Sequence, residues 1–171
     1  MDQITADYKA CKSGDKDAAI RLYQSMKNIL LTTAFGVLRE RSAAEDIVHD
    51  VFLQVLQSDA DCDIRNAKAY MVRMVRNKAI DYARKESRNI SVEEYDEMPA
   101  REGPQENVPT EDYADMEQLL SRLEGKEADA VRLRVIAEMR FRDIAQVMSV
   151  SVTTAFRLYR SGISKLRKWV K

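Results

Sequence analysis

Histidine is nearly absent: His49 is the only one in 171 residues. That leaves little for a histidine-built metal centre or a Ser/His/Asp triad. Two cysteines, Cys11 and Cys62, stand far apart with no CxxC spacing, which argues against a disulfide scaffold or a cysteine zinc site and fits a reducing cytosol. No run approaches the ~18 uninterrupted apolar residues of a membrane helix. The opening MDQITADYKACKSGDKD has no basic-then-apolar pattern of a secretory signal. The expectation is a cytoplasmic chain with no direct membrane insertion. Net charge is missing too, with 28 basic and 28 acidic residues, which excludes a uniformly basic nucleic-acid coat. Hydrophobic residues at 45% and charged residues at 33% are globular values.

The neutral total conceals a pattern. Residues 1–64 carry 7 basic and 11 acidic groups, residues 65–90 carry 8 and 2, residues 91–139 carry 5 and 14, and residues 140–171 carry 8 and 1. Two basic blocks flank an acidic one, as expected if one chain holds two anionic contacts. Two solvated helix faces would give the same arithmetic.

Proline is scarce and clustered. Pro99, Pro104 and Pro109 all fall in the acidic stretch 92–115, which lacks a helical apolar stripe. Such a segment buries too little apolar surface to offset its ordering entropy and reads as a linker. It divides the chain into an N-terminal part (1–88), an acidic linker (89–115) and a C-terminal part (116–171). No internal repeat is visible.

With only five glycines and almost no β-branched alternation, helical spacing dominates. In 44–57 the apolar residues Ile47, Val48, Val51, Phe52 and Val55 recur at three- and four-residue steps, which stacks them on one helix face. Segment 66–85 repeats the pattern. Segment 17–38 is a third amphipathic candidate, expected to break near Gly36. Further helices are expected at 115–123, 126–139, 142–148 and 152–170. The fold class is therefore all-α, with two small helical domains.

The most specific segment is FRDIAQVMSVSVTTAFRLYRSGISKLRKWV, residues 141–170. A short helix with Ile144, Ala145 and Met148 inward is followed by the break Ser149-Val150-Ser151, where Ser151 is a good N-cap. In the longer helix that follows, Ala155, Leu158, Tyr159, Gly162, Leu166 and Trp169 form the inner stripe. Thr153, Phe156, Arg157, Arg160, Ser164 and Arg167 face outward. This is the pattern of a helix-turn-helix, whose second helix fits the DNA major groove. Arg157 and Arg160 suit guanine edges or phosphate, the Thr153 methyl suits thymine, and Lys165, Arg167 and Lys168 suit the backbone. An ordinary helical hairpin with a basic outer face would share the pattern.

Two other faces carry information. In AYMVRMVRNKAIDYARK, residues 69–85, the outer face holds Arg73, Arg76, Asn77, Arg84 and Lys85, with Tyr70 and Tyr82 interleaved. Cations with aromatics hold a single strand while stacking its bases, although tyrosines at helical spacing are more often core. In 44–57 the outer face is Asp46, His49, Asp50, Leu53 and Gln57, and an apolar Leu53 amid polar neighbours suggests a partner.

Together, AEDIVHDVFLQVL, AYMVRMVRNKAIDYARK and the helix-turn-helix resemble, in order and spacing, the bacterial extracytoplasmic-function sigma factors. The likeness covers about 17–88 and 116–170. It implies a non-enzymatic, dissociable subunit of RNA polymerase, without a cofactor or metal, that recognises the −10 and −35 promoter elements and promotes strand opening. It implies as partners the β′ and β subunits of core polymerase, double- and single-stranded promoter DNA, and an anti-sigma factor. By position, Asp46, His49, Asp50, Leu53 and Gln57 would meet the β′ clamp. Arg65, Asn66, Tyr70, Arg73, Arg76, Asn77, Arg84 and Lys85 would meet the −10 element. Ser151, Thr153, Thr154, Phe156, Arg157, Arg160, Lys165 and Arg167 would meet the −35 element. The loop 59–65 would hold a flipped-out base, and the acidic linker would thread near the polymerase active centre. Departures from the family pattern are Tyr70 where Trp is frequent, Ser149 where the turn usually has Gly, Phe156 where Lys or a polar residue is common, and Leu123-Glu124 in place of Leu-Pro. No added C-terminal domain is expected.

Two other classes remain. A stand-alone helix-turn-helix regulator would bind duplex DNA tightly without polymerase. A small helical enzyme could use Glu45, Asp46, His49 and Asp50 as half of a divalent-metal site, but a matching second helix is missing.

Overall fold

The computed structural model describes residues 1–58, 63–87 and 114–170. Among them the regular elements are all α-helices: α1 (Gln3–Lys12), α2 (Lys16–Leu38), α3 (Arg41–Gln57), α4 (Ala67–Ser87), α5 (Ala114–Leu120), α6 (Gly125–Val135), α7 (Phe141–Met148) and α8 (Val152–Val170). Nearly all of the expected acidic linker and residues 59–62 of the expected base-holding loop lie outside the described residues.

Helix α1 has no counterpart in the sequence reading, because its apolar pattern is weak. Local and tertiary bonds complete it. Asp2 caps it, accepting from the Thr5 amide at 2.8 Å. The Thr5 hydroxyl in turn accepts from the Ala67 amide at 3.1 Å, satisfying a free donor at the start of α4. At the other end Lys12 Nζ donates to the carbonyls of Val55 and Ser58, which close the last turn of α3.

Helix α2 is the hub, packing on α1, α3, α4 and α6. Asp15 caps it through the amides of Asp17 and Ala18. The expected break near Gly36 does not occur, and the helix runs unbroken to Leu38. Gly36 serves a close approach instead. A Cβ there would lie 2.4 Å from the Arg132 guanidinium carbon, so glycine makes room for a side chain arriving from α6.

The helices on either side of the acidic segment share one core. Leu30, Phe35, Met71 and Val75 of α2 and α4 belong to the same buried cluster as Leu133 of α6, Ile144 and Met148 of α7, and Ala155 of α8. A smaller cluster of Leu120, Leu123, Val131 and Leu166 joins α5, α6 and α8. There Gly162 lets α8 lie close on α6, since a Cβ would meet Val131 Cγ2 at 2.7 Å.

A buried ionic chain links the two parts. Arg132 donates from Nε to Glu117 Oε1 at 2.8 Å and from one terminal nitrogen to Asp129 Oδ1 at 2.9 Å. Arg39, at the left-handed C-cap of α2, reaches Glu117 Oε2 at 3.2 Å. Arg76 of α4 reaches Asp129 Oδ2 at 3.2 Å. Burial pushes the Glu117 carboxyl up, but the facing charge and hydrogen bonds of Arg132, with Arg39 behind them, outweigh this and hold it below the usual glutamate value.

Candidate nucleic-acid interface

On α3, Ile47, Val48, Val51, Phe52 and Val55 are buried, which turns Asp46, His49, Asp50, Leu53 and Gln57 together into solvent. Leu53 is 40% exposed in the middle of that face. The sequence reading missed further exposed apolar residues on α2 and α3. Leu56 is exposed on the same helix, and Ile20 and Tyr23 are exposed on α2. The Tyr23 ring stands 4.9 Å from that of Phe52, and Tyr23 and His49 line one shallow groove between the two helices. Leu56 was legible from helical spacing. The α2 residues needed the packing of α2 on α3.

Helix α4 presents Arg73, Asn77 and Lys85 to solvent, with Arg65 exposed just before it. Tyr70 is partly exposed, its ring edge-on to Tyr8 at 6.2 Å. Arg84 is half-buried, 4.0 Å from Asp81. Asn66 is occupied locally: its side-chain oxygen accepts from the Ala69 amide at 3.0 Å and caps the helix. Arg76 departs from the expected outer face. It is 3% exposed and held against Asp129 of α6.

Helices α7 and α8 form the expected helix-turn-helix. Ser149 adopts the left-handed conformation (φ 56°) that closes α7, so the turn forms without glycine. Ser151 caps α8, its hydroxyl accepting from the Thr154 amide at 3.1 Å and donating to the half-buried Thr154 hydroxyl. Thr153, Arg157, Arg160 and Arg167 are exposed, as is Phe156. Two residues differ from expectation. Trp169 lies outside the inner stripe and is 40% exposed, with the Arg122 guanidinium 5.9 Å from its ring. Lys165 is drawn to buried Glu127 at 2.8 Å, a bond that raises its pKa and aims its charge at α6.

The geometry thus provides three exposed faces: a mixed acidic and apolar one on α3, and basic ones on α4 and α8. Residues 22–89 match the family described as Sigma-70 region 2. Solved structures that resemble this chain over most of its length include two. One is CnrH in complex with the cytosolic domain of CnrY, with 19% identity, 99% of this chain and 97% of that chain covered, and TM-score 0.69. The other is the sigma factor RpoE in complex with the anti-sigma factor NepR from Bartonella quintana, with 20% identity, 88% and 96% covered, and TM-score 0.64. No curated protein matches the sequence. The family match is confined to residues 22–89, the segment that carries most of α2 and all of α3 and α4. The fold of the whole chain is that of the extracytoplasmic-function sigma factors, the family its motifs resemble.

Proposed function

We propose that this protein binds core RNA polymerase, recognises promoter −10 and −35 elements and promotes strand opening, with catalysis left to the polymerase. The sigma-70 region 2 match over residues 22–89 carries the proposal, since it spans both α3 and α4. Asp46, His49, Asp50, Leu53 and Gln57 form the polymerase-docking face, on β′. Arg65, Tyr70, Arg73, Asn77, Arg84 and Lys85 serve the −10 element. Thr153, Phe156, Arg157, Arg160 and Arg167 serve the −35 element. Asn66 and Ser151 cap the helices that present these residues. Arg76 joins the −10 face when α6 leaves α4.

The boundaries 1–88, 89–115 and 116–171 describe the parts that separate on the polymerase, which allows both promoter elements to be spanned. The protein works in the cytoplasm. CnrH is seen with the cytosolic domain of CnrY and RpoE with the anti-sigma factor NepR. By the same logic an anti-sigma factor covers the α3 and DNA-facing surfaces here.

The test is reconstitution with bacterial core polymerase and a randomised promoter library. A co-eluting complex with selective start sites is expected. Failure to form a complex, together with tight duplex binding by the free protein, would replace this proposal with a stand-alone regulator.

A further inference from the structure

Phe156 is an exposed aromatic on a basic helix face, and the fold holds it there. Phe156 is 44% exposed. Its ring meets the Phe141 ring edge-on, with centroids 5.2 Å apart and planes at 89°. Phe141 is itself braced by Tyr159 at 5.4 Å and by the Arg134 guanidinium at 5.0 Å. The Arg160 guanidinium lies 5.8 Å from the Phe156 ring centroid on the outer side. The ring is thus restrained without being buried. Helical spacing places it beside Val152, 49% exposed, and next to Thr153, Arg157 and Arg160 in the first turns of α8. The outer face is therefore divided into an apolar strip and a cationic strip.

Within the proposed promoter reading, on which this rests, we infer that Phe156 is a specificity-determining residue that reads the C5-methyl group of a thymine in the −35 duplex. The methyl is the one apolar feature that distinguishes a base pair in the major groove. A ring already ordered by Phe141 loses little rotamer freedom on contact. The cationic strip supplies the charge complementarity that brings phosphates, and hence the groove, to this face.

The experiment uses holoenzyme on its selected promoter, with each −35 thymine replaced in turn by deoxyuridine, which removes only the methyl. Binding is expected to weaken about fourfold at one position, the scale of one buried apolar carbon. Phe156→Ala should weaken binding to the thymine promoter by at least as much and abolish the difference between thymine and uracil there, with a modest fall in melting temperature from the lost Phe141 contact and the chain still folded at the assay temperature. Phe156→Leu should restore part of that difference. If uracil is tolerated everywhere, or Phe156→Ala loses equally on both templates, Phe156 is a packing residue and the inference falls while the promoter reading stands. If the holoenzyme selects no −35 sequence at all, both fall.

Discussion

Arg76 of α4 and Asp129 of α6 form an ion pair that is nearly closed to solvent, with Arg76 3% and Asp129 5% exposed. Asp129 Oδ2 accepts from Arg76 Nε at 3.3 Å and from a terminal nitrogen at 3.2 Å. The pair crosses from one part of the chain to the other. Removing one member of a buried pair leaves an uncompensated charge and costs about 3–5 kcal/mol. Asp129→Ala should lower unfolding stability on this scale, since it takes a partner from both Arg76 and Arg132, whereas Arg76→Ala should cost less because Arg132 still faces Asp129. An Arg76→Met, Asp129→Leu double variant should lose clearly less than the sum. Additive losses in urea titration would count against direct coupling.

Gly36→Ala tests the approach of Arg132 to α2. Alanine is intrinsically the better helix residue by about 1 kcal/mol. Here its Cβ would intrude on a guanidinium tied to Glu117 and Asp129. Overpacking costs of about 1–3 kcal/mol are expected to win, giving net destabilisation in thermal melting. A rise in melting temperature would mean that Arg132 relocates freely.

Ser149→Gly should stabilise the helix-turn-helix by up to about 1 kcal/mol, because a side chain at φ 56° is strained and glycine is not. Ser151→Ala should destabilise it by about 1 kcal/mol through loss of the α8 cap. Chemical denaturation of the full chain reads both.

Glu117 makes stability depend on acid pH. Its folded pKa is depressed below the ordinary 4.5, so its contribution is present above that value and is lost as pH falls through the folded pKa. Wild type should lose urea resistance progressively as pH drops below about 4.5. Glu117→Gln should be less stable at neutral pH and flatter through the acid window. Identical pH profiles would remove Glu117 from the account.

Charge reversal at Asp50 with Leu53→Asp should weaken core-polymerase binding by roughly tenfold or more, about 1.4 kcal/mol or above, with melting unchanged because both side chains are exposed. Unchanged affinity in a competition assay would move the docking face elsewhere.

Helical spacing alone determined the all-α class, the buried stripe of α3, the helix-turn-helix and the N-capping role of Ser151. These rest on periods and caps within a single element, where residues three or four apart are neighbours whatever the rest of the chain does. Tertiary structure decided the rest. It placed Arg76 inside, turned Lys165 toward Glu127, kept α2 continuous through Gly36, exposed Trp169, and tied α1 to α4 and α3 through Thr5 and Lys12. In the sequence Arg76 and Arg73 are equivalent cations on one helix. Only the arrival of Asp129, 53 positions later, buries one and leaves the other in solvent. Burial of a charge depends on a partner that desolvates and neutralises it together, and no local pattern specifies which distant carboxylate that will be.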